Sequence, residues 1–92
     1  MNANYAAAQS YVSVAYARGD KKKEKYIQSI ADVCYSLNVE NDGRPLAAIK
    51  NDVASEVRQS LGLSWLGWLL LKSVIMQLIS AFLNRLVSNR AH

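Results

Sequence analysis

Ninety-two residues, 51% of them apolar, make one domain at most, and a chain this short buries only a modest core by itself. One proline and four glycines exclude a loop-rich or low-complexity protein, and the single cysteine, Cys34, excludes an intramolecular disulfide and the paired-cysteine metal and redox patterns. The net charge of +4 is unevenly placed: all seven acids lie between Asp20 and Glu56, while residues 61–92 carry Lys72, Arg85 and Arg90 and no acid.

Ala, Leu, Lys and Ser dominate and continuous β-branched runs are absent, so an all-α fold is expected. The opening MNANYAAAQS lacks the basic flank and apolar run of a signal peptide, which leaves the C-terminal third as the place for any membrane segment. A first helix is predicted over 4–17, capped by Asn2 or Asn4. Tyr5, Ala8, Val12, Ala15 and Tyr16 share one of its faces. Arg18, Gly19 and Asp20 form a break: Gly19 suits the position after a helix and Asp20 the cap of the next. The same letters spell an integrin-recognition tripeptide, but punctuation accounts for them without supporting context for a motif.

The second helix is predicted over 21–37, with a packing stripe of Tyr26, Ile27, Ile30, Val33, Cys34 and Leu37. Cys34 lies within the stripe and reads as core. Lys21, Lys22, Lys23 and Lys25 crowd the first turn, where the helix dipole disfavours cations by about 0.3–1 kcal/mol each. They form a solvated face or a contact for an anionic surface, either lipid headgroups or nucleic acid phosphates. A loop follows over 38–44. The third helix is predicted over 45–60, opening on Pro45 at its first position, with Leu46, Ile49, Val53 and Val57 facing inward. Asp52 and Glu56 stand one turn apart without a histidine, which reads as a solvated face. Gly62 and Ser64 mark the next joint; a single bent helix from Pro45 onward is the alternative.

Residues 61–87 read LGLSWLGWLLLKSVIMQLISAFLNRLV. As a helix this stretch is about 40 Å long, against roughly 30 Å for a bilayer core. Trp65 and Trp68 stand at one end, as in an aromatic belt, and Arg85 and Arg90 at the other, where they can snorkel outward. Lys72 falls near the middle and costs about 2.5–3.5 kcal/mol on insertion scales. Ser73, Gln77, Ser80, Asn84 and Ser88 occupy a narrow polar arc, which suits helix–helix contact in a membrane or a buried bundle. Cations before the stretch (Arg44, Lys50, Arg58) outnumber those after it, which puts the N-terminal helices on the cytoplasmic side.

The chain divides by composition into a small helical domain, 1–60, and an apolar helix, 61–92, that anchors and assembles. The single histidine is the terminal His92, a poor base for any triad, and no phosphate loop or zinc spacing occurs. No enzymatic activity, cofactor, metal or small-molecule substrate is expected. The expected function is that of a structural protein in a membrane-containing assembly, such as a lipid-containing virion or a membrane complex. It would be held by a single-pass C-terminal helix, with lipid and with its own copies or other subunits as partners. A small lysis or holin-like protein, and a soluble adaptor whose apolar tail is buried in an oligomer, are the alternatives.

Overall fold

The computed structural model describes residues 3–90, and side chains within them up to Ser88. The capping role read for Asn2, the side chain of Arg90 and the terminal His92 lie outside the described residues. Four α-helices follow one another: α1 (Ala3–Val12), α2 (Lys21–Ser36), α3 (Leu46–Ser60) and α4 (Trp65–Arg90). No strand occurs among the described residues.

The helix α1 does not end as an α-helix. It widens into a π turn, Ser13–Ala17, closed by the Arg18 N–H donating to the Ser13 carbonyl at 3.3 Å. A π turn spaces inward residues by five rather than four. Ala17 therefore follows Val12 into the core, and the expected inward residues Ala15 and Tyr16 are exposed. Asn4 is a helical residue rather than a cap; its amide donates to the Glu40 carboxylate at 3.1 Å. The break follows as expected from Gly19 and Asp20. Arg18 and Gly19 both adopt positive φ, 49° and 86°, and Asp20 accepts from the Lys22 and Lys23 amides.

In α2 the predicted stripe packs inward, with Ile27, Ile30, Val33 and Cys34 buried and Tyr26 half-buried. Leu37 is a correction: the helix stops at Ser36 and Leu37 remains 41% exposed. Asn38, at φ 52°, reverses the chain and sends Val39 inward at the head of a short 3₁₀ turn, Val39–Asn41. Tyr5 secures this turn. Its hydroxyl accepts from the Glu40 N–H at 3.0 Å, and its ring meets Tyr35 edge to face, centroids 5.5 Å apart. Pro45 caps α3 with extended ψ instead of opening it, one residue earlier than expected, and its carbonyl accepts the first helical bonds from Ala48 and Ile49. Ile49, Val53 and Val57 are buried as predicted, joined by Ala54.

The helix α4 is the spine. Its 26 residues make about 39 Å of helix, equal to the molecule's longest dimension of 39 Å. It packs against α1, α2 and α3 alike. Ile75, Leu78, Ile79, Phe82, Leu83 and Leu86 are almost wholly inaccessible and form one cluster with Tyr5, Val12, Ile27, Ile30, Val53 and Val57. The compositional division at residue 60 is therefore crossed by a single hydrophobic core.

Candidate functional site

The end of α3 positions the site. The Leu63 N–H donates to the Arg58 carbonyl at 3.1 Å and the Gly62 N–H to the Gln59 carbonyl at 3.0 Å, with Gly62 at φ 66°. These are the two bonds of a Schellman motif, which halts α3 and resolves the joint in favour of two helices over one bent one. Ser64 then caps α4, its hydroxyl accepting from the Gly67 N–H at 3.1 Å. The first turns of α4 leave the joint only partly covered by the other helices. Trp65, Leu66, Leu69 and Leu70 are 68%, 61%, 51% and 74% exposed.

At 100° per residue these four side chains fall on the same face as Ser73, Gln77, Ser80, Asn84 and Ser88. One outward face therefore changes chemistry along its length. It is apolar up to Leu70 and polar from Ser73 onward. In the second part it is the water-facing strip of a helix whose opposite face is core: Ser73, Gln77, Asn84 and Ser88 are exposed and Ser80 half-buried. In the first part it is a patch of two leucine pairs' worth of apolar surface with no cover from the chain.

Cations stand on both flanks of this patch. On one side a cleft of about 420 Å³ runs between the start of α2 and the start of α4, with Lys22 and Lys25 on one wall and Leu63, Leu70 and Leu71 on the other. On the other side Arg58 and Lys72 flank Trp68 and Met76 in a second depression. No carboxylate lines either hollow. The acids nearest in sequence are engaged elsewhere: Asp20 in the α2 cap and Glu24 with the Ser13 hydroxyl. Lys21 is exposed and Lys23 half-buried, and neither lines the cleft.

At the opposite end of α4, Arg85 lies over the Tyr11 ring, 4.3 Å from its centroid, a cation–π contact of about 0.5–1 kcal/mol at an exposed position. Asn84 and Ser88 share that surface with Tyr11 and Tyr16 of the first helical segment. The sequence-predicted residues thus fall into two groups: Trp65, Trp68, Lys72, Lys22 and Lys25 meet at one end, while Gln77, Ser80, Asn84 and Arg85 lie along the bundle away from it. Leu66, Leu69, Leu70 and Arg58 belong to the first group and escaped sequence reasoning. The signal for the leucines was legible, as the apolar continuation of the polar arc; Arg58 is brought close only by the α3–α4 joint.

The remaining reactive groups serve the fold. Burial pushes the Cys34 thiol up to about 12, so it is neutral and inert at physiological pH. Arg44 bonds Asp42 and Asp52 together; its hydrogen bonds hold the Asp42 carboxyl below the ordinary range and raise its own guanidinium. Asp52 is thus committed to an ion pair, and among the described residues no three His, Cys, Asp or Glu side chains gather as a metal site.

Comparison with protein-family models, with curated proteins and with solved structures found no match for this chain.

Proposed function

We propose that this protein is a non-enzymatic attachment protein that holds a helical bundle against a membrane, within an assembly such as a lipid-containing virion or a membrane complex. The observation that carries this reading is the exposed apolar face at the start of α4, flanked by Lys22 and Lys25 on one side and by Arg58 and Lys72 on the other. Apolar side chains framed by cations match the boundary between acyl chains and anionic headgroups. Residues 65–71 provide roughly 10 Å of helix, comparable with the ~5–10 Å to which interfacial helices sink. Trp65, at the tip, is suited to the headgroup region.

Passage of the whole of α4 through a bilayer is the second reading. Its support is the segment Trp65–Ser88, 24 residues with a mean hydropathy of 1.8, long and apolar enough to span. In this fold α1, α2 and α3 sheathe its C-terminal half, so spanning requires α4 to leave the core or to carry their charged outer faces into lipid, at about 2.5–3.5 kcal/mol per charge. Attachment by the first turns needs neither.

The test is to mix the full-length chain with anionic phospholipid vesicles. Co-flotation with a blue shift of Trp65 emission, reversed by high salt or alkaline carbonate, is the expected result. Retention after carbonate supports spanning instead. A monodisperse protein that neither floats nor shifts its emission refutes both.

A further inference from the structure

The cleft between α2 and α4 has one polar and one apolar wall, and this division specifies a ligand. Lys22 and Lys25 lie one turn apart along α2, and Tyr26 beside them is half-buried. Leu61 and Leu63 come from the α3–α4 joint, and Leu70 and Leu71 from α4. Neither lysine makes an ion pair or side-chain hydrogen bond among the described residues. Their positive charge is placed where the helix dipole also points its positive end, an arrangement unfavourable to the free protein and relieved by an anion. The apolar wall is continuous with the exposed leucines that face outward, so a ligand entering from that side meets lysine and leucine together.

We infer that this cleft is a subsite for one anionic phospholipid of the membrane, its phosphate between Lys22 and Lys25 and its upper acyl chain along Leu61, Leu63, Leu70 and Leu71. Charge complementarity selects this occupant. A neutral apolar helix from a partner leaves both ammonium groups unmatched, and a free phosphate leaves the leucine wall exposed to water. The inference rests on the membrane-attachment reading and adds to it a headgroup preference and an orientation, with the start of α2 and the α3–α4 joint turned to the lipid.

The experiment compares partitioning of the full-length protein into vesicles of phosphatidylcholine alone and of phosphatidylcholine mixed with phosphatidylglycerol. Three forms are used: the wild type, Lys22→Gln/Lys25→Gln, and Lys50→Gln/Arg85→Gln, which removes equal charge from sites outside the cleft. The wild type is expected to prefer the anionic vesicles. Lys22→Gln/Lys25→Gln is expected to lose roughly 30-fold in partitioning into them, with little change on neutral vesicles. The control pair is expected to lose no more than about threefold, since charges beyond a Debye length are screened. Circular dichroism is expected to show full helix in both variants, because relieving like charges at a helix start does not weaken it. Equal losses in the two variants, or no loss in either while the wild type still binds, overturn the subsite and leave membrane attachment standing. Failure of the wild type to bind either vesicle overturns both.

Discussion

Replacing Leu66, Leu69 and Leu70 together by glutamine separates the outward face of α4 from its core face. The three side chains are between half and three-quarters exposed, and their exposed shares together amount to nearly two whole leucines. Full burial of one leucine side chain is worth about 1.5–3 kcal/mol, so lipid contact by this patch contributes about 3–5 kcal/mol. Loss of that contribution lowers vesicle partitioning by roughly 10²- to 10³-fold. The folded protein in water hardly notices the change: glutamine and leucine have similar helix propensity, and exposed substitutions stay within about 0.5 kcal/mol each. The paired measurement is flotation on anionic vesicles and thermal unfolding by circular dichroism. A partitioning loss under about threefold with the fold intact refutes the assignment of this face to lipid. Unfolding of the variant refutes the claim that the face is free in the bundle. Leu78→Ala supplies the contrast. Leu78 is 1% exposed in the core, so its truncation costs about 2–5 kcal/mol of stability and a fall in Tm of at least ~10 °C, with partitioning of the folded protein unchanged. Deleting α4 outright is no substitute for these point changes, because it removes core side chains along with the outward face.

Cys34 links stability to pH: its folded thiol is raised from an ordinary 9.0 to about 12, so its contribution is complete below about pH 9 and is lost as the pH rises from there toward 12. Tyr5, also raised chiefly by burial, acts in the same direction above its ordinary 10.0. Urea unfolding at rising alkaline pH is expected to show falling stability for the wild type and a shallower fall for Cys34→Ala; equal slopes refute the link. Tyr5→Phe removes the acceptor of the Glu40 N–H and is expected to cost about 1–3 kcal/mol in urea unfolding, without loss of helix content. Gly67→Ala is expected to stabilise the fold by about 0.5–1 kcal/mol, since the added Cβ meets the Ser64 Oγ and Leu63 only at ordinary contact distances of 3.4 Å and beyond; a lower Tm contradicts this.

Helix boundaries were largely legible because they are local. Gly19 with Asp20, and Gly62 with Ser64, carry their stop and start signals in residue type, and the structure uses them as caps. The stripes of α2 and α3 were legible for the same reason, since a repeat of three to four residues states which side chains share a face. The π turn at Ser13–Ala17 was not, because nothing in the residue types announces a turn widened by one residue, and the inward register moved with it from Ala15 and Tyr16 to Ala17. Leu37 and Val39 exchanged places for a similar reason: Asn38 reverses the chain, and helical spacing does not continue through a residue at positive φ.

For the last helix, sequence by itself determined its length, its apolar character and the narrow arc of Ser73, Gln77, Ser80, Asn84 and Ser88. It left open what that arc faces. A polar seam between helices in lipid and a thin water-facing strip on a core helix have the same spacing, because periodicity records which residues lie together and not which solvent surrounds them. Only the packing of α1, α2 and α3 against Ile75, Leu78, Ile79, Phe82, Leu83 and Leu86 decided it, placing the arc on the outside of the bundle. The same packing ends short of the first turns of α4. Trp65, Leu66, Leu69 and Leu70 are left uncovered because the chain has no further helix to lay against them.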